Sequence, residues 1–293
     1  MVYLKRIFLP REREENGVIY LKEQRTCFNT FYPFKIFPEK RLGEIEFDRI
    51  TMFYGSNGSG KSTLINILSA KLDSVRYSEF NDAPLFDEYL DLCRLEYARK
   101  PEKCCTLTSD DVFDYVLNAR SVNGSIDDKR NELIDKYISV HRAAKNDREI
   151  MRLKGLDDYE RWNEVREILS PKHTQSKYIK NRVARDVDLH SNGETAMQYF
   201  IDRIDEDALY ILDEPENSLS IERQLELCEY ITATARSTDS QFIIATHSPV
   251  LLSMRGARIY DLDAYPACVK RWTELENVRR YFEFFMDHRE EFK

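Results

Sequence analysis

The sequence contains no run of apolar residues that approaches the roughly 18 needed to span a membrane. Its first residues, Met1 to Lys5, lead into a short apolar stretch without the hydrophobic region of a secretory signal. We therefore expect a cytoplasmic protein with no membrane segment of its own. If the protein works at a membrane, a partner must hold it there.

The cysteines form no pattern that is typical of a metal site or a redox motif. There are six of them, none lies in a CxxC pair, and no Cys/His combination repeats with metal-ligand spacing. We therefore expect reduced, mostly buried thiols, as is usual in the cytosol. The six are Cys27, Cys93, Cys104, Cys105, Cys228 and Cys268.

An excess of positive charge is also missing, because the formal net charge is −8. An acidic balance argues against a protein that constantly coats nucleic acid, although a local basic groove remains compatible with it. Internal repeats, long heptad runs and low-complexity linkers are absent as well. These absences argue against solenoids and long coiled coils.

What the chain does contain is an α/β pattern that is interrupted once. Short strands are predicted at 2–9, 32–37, 43–47 and 50–54, and again at 104–108, 209–212, 242–245 and 258–262. Helical spacing follows residue 61, and it also marks 112–119, 221–235 and 272–292. The stretch from about 120 to 189 is highly charged with helical spacing. We therefore predict one domain, formed by 1–119 and 190–293, with an inserted helical subdomain at about 120–189.

A glycine-rich loop follows the predicted strand at 50–54 and precedes a predicted helix. It fits the pattern G-x-x-x-x-G-K-S/T in full, in the strand–loop–helix context that a phosphate-binding loop requires. Its glycines let backbone N–H groups surround phosphates, Lys61 is predicted to reach the β- and γ-phosphates, and Ser62 is predicted to bind Mg²⁺. The predicted nucleotide-binding residues are Gly55, Ser56, Asn57, Gly58, Ser59, Gly60, Lys61, Ser62 and Thr63.

Two later strands end in residues that can complete such a site. The run at 209–212 is followed by Asp213 and Glu214. Asp213 is predicted to hold the Mg²⁺ hydration shell, and Glu214 to polarise the attacking water. The run at 242–245 leads to His247, whose neutral imidazole can contact the γ-phosphate or the water. Each strand alone is a common feature, and it is the combination with the loop that favours a catalytic role.

In this order, the three motifs resemble those of the ABC-type ATPases. The signature motif of that family is matched in its SxGE form by Ser191, Asn192, Gly193 and Glu194, a form found more in the stand-alone and chromosome-maintenance branch than in transporters. The same residues also fit a helix capping box, which is compatible with a signature at a helix N-terminus. Residues 216–220 match the D-loop position, which would run along the dimer interface, and Ser248-Pro249 after His247 also resembles the stand-alone branch.

The sequence departs from the family pattern at one position. The family usually has a glutamine that senses Mg²⁺ after the strand that follows the loop helix, but this chain has none between Gln24 and Gln175. Ser109 or Asp110 could take that place, or Ser109 and the aspartates could simply cap a helix. An adenine-stacking aromatic cannot be assigned, since the candidates Tyr32 and Phe34 also suit a core.

The resemblance implies a P-loop NTPase of ABC type, with a mixed sheet, that binds ATP and Mg²⁺ and hydrolyses ATP as a head-to-tail homodimer. It would act on DNA, RNA or an effector protein, in repair or in defence against foreign DNA. A basic stripe at 172–185, with Lys172, Lys177, Lys180, Arg182 and Arg185, suits nucleic acid, although a solvated charged face is the commoner explanation. The alternatives are the nucleotide-binding subunit of a membrane transporter, and a switch that binds ATP without turnover.

Overall fold

The structure is a computed structural model, and it describes residues 2–23, 30–78, 83–146, 165–166, 168–169, 192–204 and 207–292. Within these ranges, the side chains of 22–23, 119–127, 141, 144–146 and 192–194 are not described. The chain divides into two compact units. One comprises Met1–Asp114 with Asn192–Lys293, and the other comprises Tyr115–Ser191.

The first unit is built on a six-stranded sheet with the order β5-β6-β7-β3-β8-β9. Its first five strands are parallel and β9 pairs antiparallel with β8. Every residue of β3, β5 and β7 is buried, as is expected of parallel strands covered on both faces. The strands are β3 (Ile50–Tyr54), β5 (Cys104–Thr108), β6 (Leu209–Asp213), β7 (Gln241–Thr246), β8 (Arg258–Asp261) and β9 (Cys268–Lys270).

A second, three-stranded antiparallel sheet lies in the same unit, with the order β2-β1-β4. Its strands are β1 (Leu4–Phe8), β2 (Glu44–Glu46) and β4 (Arg94–Tyr97). The side chain of Gln241 joins the two sheets, because its Oε1 accepts the N–H groups of Tyr3 and Leu4 at 2.9 Å each. This amide begins β7 and is completely buried, so these bonds fix the position of β1 against the large sheet.

The first unit contains the helices predicted after residue 61 and at 221–235, and it also contains helices at 12–23, 36–39 and 86–92 that the sequence did not predict. Its helices are α1 (Glu12–Glu23), α2 (Ile36–Glu39), α3 (Lys61–Lys71), α4 (Phe86–Leu92), α6 (Asn192–Arg203), α7 (Ile221–Ser237), α8 (Pro249–Leu252) and α9 (Glu276–Asp287). Short 3-10 turns lie at Pro215–Ser218, Trp272–Glu274 and Arg289–Phe292. The last segment, predicted as one helix over 272–292, is thus α9 between two such turns.

The long helix α5 (Ser109–Asn146) starts in the first unit and continues into the second. In the second unit, Leu133 and Ile168 are buried, and Tyr137 and Val140 pack against them. The extent of the inserted subdomain as a functional unit stays a prediction. None of the helices in the described ranges is long and apolar enough to cross a membrane.

The prediction of a strand at 32–37 is wrong. These residues form a turn followed by α2, and Lys35 adopts a left-handed conformation with φ 71°. The cause is a tertiary contact, since the Lys35 N–H donates to Glu15 Oε2 of α1 at 2.6 Å. Ile36, the next residue, lies so close to Gly60 that a Cβ there would be 3.0 Å from its Cγ2. Glu15 therefore shapes a turn that packs directly on the predicted phosphate loop.

Glu15 is also a source of pH-dependent stability. Burial raises its pKa to about 7 from an ordinary value of 4.5, against the opposing effect of the Lys35 N–H. A raised carboxyl pKa means that the fold favours the protonated form, so stability is lost as the pH rises through 7. Glu15→Gln keeps an acceptor for Lys35 and removes the buried charge. We expect it to raise the free energy of unfolding at pH 8 by up to about 3.5 kcal/mol, since the pKa rises from 4.5 to about 7 and one pKa unit corresponds to about 1.4 kcal/mol.

Urea unfolding of both proteins at pH 5, 6, 7 and 8 measures this effect. The difference between Glu15→Gln and wild type should disappear towards pH 5. The exposed Glu222 on α7 gives the control, because Glu222→Gln lies on another helix and should leave the pH profile unchanged. A constant difference at all four pH values would show that the Glu15 charge is not the cause.

Candidate active site

The loop between β3 and α3 adopts a conformation that its glycines permit. Gly58 and Gly60 have φ values of 81° and 96°, in the left-handed region that side chains rarely adopt. A Cβ on Gly55 would lie 2.7 Å from Ser59 Cβ, so this position has no space for a side chain. The strand, loop and helix therefore have the arrangement that a phosphate loop requires, with the N-terminus of α3 at the end of the loop.

Lys61 is the first residue of α3 and is only 4% exposed. Its Nζ donates to the carbonyl oxygen of Gly55 at 2.8 Å and of Ser56 at 3.2 Å. The same ammonium lies 3.5 Å from Glu214 Oε1. A buried cation at the mouth of the loop thus connects the loop to the end of β6, where both predicted acidic residues are found.

Ser62 and Asp213 come together as the sequence predicts, with Ser62 Oγ donating to Asp213 Oδ1 at 3.4 Å. Burial, and secondly the charge of Glu214, raise the pKa of Asp213 to about 6, while the Ser62 hydrogen bond, Arg76 and Lys61 oppose that rise. A cation beside Asp213 would offset this unfavourable burial.

The residues present fit Mg²⁺ bound together with phosphates. The described residues contain no group of three or more His, Cys, Asp or Glu side chains placed to hold a metal by themselves. Mg²⁺ commonly keeps several waters and takes one or two protein oxygens plus phosphate oxygens. Ser62 Oγ and the Asp213 carboxylate would supply the protein oxygens.

Glu214 and His247 also meet at this edge of the sheet. His247 Nδ1 lies 3.9 Å from Glu214 Oε1, and Asn217 Nδ2 donates to Glu214 Oε2 at 3.0 Å. Glu214 has a φ of 49°, an unusual conformation for a residue other than glycine, and such outliers occur often at functional sites. Its N–H donates to Ala245 O, which connects the ends of β6 and β7. The predicted base Glu214 and the predicted catalytic residue His247 are therefore neighbours.

The sequence did not identify Glu216 as the residue that holds the histidine loop. Glu216 is buried, and its Oε1 accepts from Thr246 Oγ1 at 2.6 Å and from the N–H groups of His247 at 2.8 Å and Ser248 at 3.2 Å. The same oxygen lies 3.3 Å from His247 Nδ1. One carboxylate thus positions three consecutive residues. Its place within the predicted D-loop gave no sign of this inward role.

A cavity of about 690 Å³ adjoins these groups. It is lined mostly by polar side chains that include the predicted Mg²⁺ residues and the predicted base. Arg76 and Asn66, which the sequence did not single out, also line it, and Arg76 Nη1 donates to Asn66 Oδ1 at 2.7 Å. The lining residues are Tyr32, Ser62, Thr63, Asn66, Arg76, Ser109, Asp110, Asp213, Glu214 and Asn217.

Ser109 and Asp110, the two candidates for the position of the missing glutamine, both line the cavity. The capping contacts at the start of α5 come from their neighbours instead. The Thr108 N–H donates to Asp111 Oδ2 at 2.8 Å, and the Asp111 N–H donates to Thr108 Oγ1 at 3.2 Å. Of the two aspartates, Asp111 therefore caps the helix. Ser109 and Asp110 instead line the cavity.

Asp263, which follows β8, makes a second contact with the site that the sequence did not reveal. Its carboxylate accepts from the Ser56 N–H at 2.7 Å and from Ser56 Oγ at 3.0 Å. It thereby attaches the start of the phosphate loop to the strand next to β3. An acid two residues beyond a strand gives no sequence signal of its own.

Of the two aromatic candidates for adenine stacking, Phe34 is a core residue. It is buried, and its ring meets Tyr89 edge-on at 5.1 Å between centroids. Tyr32 lies at the cavity, where its Oη donates to Thr63 Oγ1 at 3.2 Å.

Part of the predicted signature and the whole basic stripe cannot be placed. Ser191 and residues 172–185 lie outside the described residues. Asn192, Gly193 and Glu194 form the first turn of α6, so this part of the signature opens a helix, but their side chains are not described. The predicted closure of the site by this segment from a second subunit therefore stays a prediction.

Comparison with protein families gives one match. Residues 110–253, just under half of the chain, match the model described as "AAA domain, putative AbiEii toxin, Type IV TA system". The matched range starts after the phosphate loop and includes the signature segment, the Asp213-Glu214 pair and His247. No curated protein matches the chain.

Several solved structures show a distant likeness. The Smc head domain of Pyrococcus furiosus, bound to the C-terminal domain of ScpA, is 13% identical, with a TM-score of 0.38 over 82% of this chain and 95% of that one. The SMC head domain from Thermotoga maritima is 14% identical, with a TM-score of 0.38 over 92% of this chain and 98% of that one. A nucleotide-free ATP-binding cassette from an ABC transporter is 13% identical, with a TM-score of 0.38 over 89% of this chain and 88% of that one.

The motifs, the strand order that assembles them and the family match agree with one another. The fold is a mixed α/β P-loop ATPase fold. Over residues 110–253 the chain is similar to this AAA-domain family, and its motifs resemble those of the stand-alone ABC-type ATPases.

Proposed function

We propose that this protein binds ATP with Mg²⁺ and hydrolyses it at two composite sites in a head-to-tail dimer. The observation that carries the proposal is the assembly of Lys61, Ser62, Asp213, Glu214 and His247 at one edge of the sheet. Lys61 Nζ lies 3.5 Å from Glu214 Oε1, and Ser62 Oγ lies 3.4 Å from Asp213 Oδ1. These residues come from three strand ends, as the chemistry of phosphate cleavage requires.

Each residue has a role that its position supports. The loop N–H groups and Lys61 hold the phosphates, and Mg²⁺, when bound at Ser62 and Asp213, neutralises their charge. Glu214 accepts a proton from the attacking water, and Asn217 fixes the orientation of its carboxylate. His247, placed by Glu216, contacts the γ-phosphate or the water.

We propose a dimer because one subunit leaves one side of the γ-phosphate uncovered. A phosphate loop covers the γ-phosphate on one side only, and a helix N-terminus with free N–H groups is suited to cover the other. The first turn of α6, with Asn192, Gly193 and Glu194 after Ser191, would come from the second subunit. This role rests on the resemblance of these residues to the signature motif.

The proposed target is nucleic acid or a partner protein, in repair or in defence against foreign DNA. The matched family's description names a putative toxin of a toxin–antitoxin system, which favours the defence side of this proposal. A transporter subunit is the second candidate, but the absent glutamine and the SxGE form count against it. Stimulation of ATP hydrolysis by DNA or RNA, but not by membranes, would support the first candidate.

Lys61→Ala tests whether the loop binds nucleotide. We expect ATP affinity to fall by at least about 100-fold, on the order of 3 kcal/mol, because the phosphates lose their charge-assisted hydrogen bonds to a buried ammonium. Isothermal titration calorimetry with ATP measures the change. Lys129→Ala is the matched control, since Lys129 forms an exposed ion pair with Glu132 and lies outside the phosphate loop. Retention of wild-type affinity by Lys61→Ala would overturn the phosphate-loop assignment.

A further inference from the structure

Among the described residues, helix α9 packs against the rest of the first unit at its start. Leu275 and Val278 are buried, and the N–H of Asn277 donates to Tyr54 Oη at 3.2 Å. Every residue from Arg279 to Asp287 is exposed. The helix face that docks through Val278 continues along the helix, because Tyr281, Phe282 and Phe285 follow Val278 at the spacing of one helical face.

This exposed segment has the densest set of uncovered large apolar side chains in the described chain. We name it the aromatic patch, and its members are Tyr281, Phe282, Phe284, Phe285, Met286 and Phe292, each between 49% and 73% exposed. The rings are clustered, with 5.6 Å between the centroids of Phe284 and Phe285 and 6.1 Å between those of Phe285 and Phe292. An apolar cluster of this size on a protein surface indicates an interaction site.

The area of the aromatic patch matches one side of a protein–protein interface. A fully exposed aromatic side chain presents about 200 Å², so six side chains exposed to this extent offer on the order of 600 Å². A standard interface buries about 800 Å² per partner, more than half of it apolar. The patch can therefore form the apolar centre of such an interface without help from the rest of the surface.

The charges around the aromatic patch are arranged so that the segment complements itself. The first half of α9 carries Arg279 and Arg280 against Glu276, and is net positive. The rest of the segment is net negative, because it carries Glu283, Asp287, Glu290 and Glu291 against Arg289. An antiparallel second copy brings the basic end of each helix opposite the acidic end of the other, whereas a parallel copy brings like charges together. Arg280 forms an exposed ion pair with Glu276 in its own helix, and such surface pairs exchange partners readily.

We propose that α9 and the turn after it form a homodimer interface, in which the aromatic patches of two copies pack antiparallel about a two-fold axis. The same surface then serves both partners, as symmetric dimers require. This interface is separate from the nucleotide-dependent dimer of the proposed function. It forms without ATP, and its presence or absence is independent of whether the signature segment closes the active site.

Sedimentation velocity of the full chain at micromolar concentration, without nucleotide and with a chelator, tests this interface. A dimer is expected for wild type and for Lys61→Ala, which excludes a nucleotide-driven contact. Phe282→Asp with Phe285→Asp should give a monomer, because it places charges in the apolar centre. Tyr20→Asp, which changes an exposed aromatic on α1, is the control that should stay dimeric. A monomeric wild type, or a Phe282→Asp/Phe285→Asp variant that remains dimeric, would overturn the proposal.

Charge reversal tests the antiparallel arrangement without touching the aromatic side chains. Arg279→Glu with Arg280→Glu should weaken the dimer at least about tenfold, and so should Glu290→Arg with Glu291→Arg. An equimolar mixture of the two variants should restore the dimer, since each acidic end then meets a basic one. All four changes in one chain should restore it as well. Failure of both rescues would contradict the antiparallel pairing even if the single variants are weakened.

Discussion

Glu214→Gln is expected to abolish ATP turnover and leave ATP binding intact. The amide keeps the shape of the side chain and can still interact with Asn217, but it cannot accept the proton of the attacking water. General-base catalysis contributes typically 10² to 10⁴ in rate, so we expect a loss within or above that range. Phosphate release measures the turnover, and calorimetry measures the binding.

The same variant should accumulate the nucleotide-bound dimer. If hydrolysis separates the subunits, a protein that binds ATP without cleaving it remains in the closed state. Size-exclusion chromatography with ATP and Mg²⁺ should then show a larger species than without nucleotide. Glu222→Gln, an exposed change at the start of α7, should behave as wild type. Wild-type phosphate release by Glu214→Gln would show that Glu214 is not the base.

Ser191→Arg is expected to separate ATP binding from hydrolysis in a different way. In the proposed dimer this position faces the γ-phosphate of the other subunit, so a bulky side chain blocks closure of the interface. ATP binding by one subunit should stay within a few-fold of wild type, whereas hydrolysis should fall by about 10² or more, as when an electrostatic contact to the transition state is lost. Analytical ultracentrifugation with ATP should also show loss of the nucleotide-dependent dimer.

The phosphate loop and the strands around it could be predicted from sequence because their signals are local. The strands at 50–54, 104–108 and 209–212 are apolar runs that the structure contains as β3, β5 and β6. Parallel strands align their carboxyl ends, and pairing of Thr108 with Asp213 and of Asp213 with Ala245 brings the polar residues after them to one edge. Motif order and strand chemistry were therefore sufficient to predict that these residues lie together.

Contacts between distant parts of the chain could not be predicted. Glu216 holds the residues around His247, about 30 positions away, and Asp263 holds Ser56, 207 positions away. The turn at Lys35 depends on a hydrogen bond to the buried carboxylate of Glu15, which is 20 positions away. The local sequence does not show this contact, and its aromatic residues therefore led to the prediction of a strand. Strand β4, which has one exposed and three half-buried residues, was not predicted because its sequence lacks a strong alternation of apolar and polar residues. Local patterns do not contain these tertiary effects.

Mixing Ser191→Arg with Lys61→Ala is the most direct test of the composite sites. Each variant alone should be inactive, because every site in its homodimer carries one lesion. In a mixed head-to-tail dimer, one site carries both lesions and the other carries neither. Phosphate release from an equimolar mixture should therefore recover towards about one quarter of the wild-type rate, since half of randomly formed dimers are mixed and each has one intact site of two. Wild-type hydrolysis by Ser191→Arg alone, or by the Lys61→Ala protein, would contradict the account.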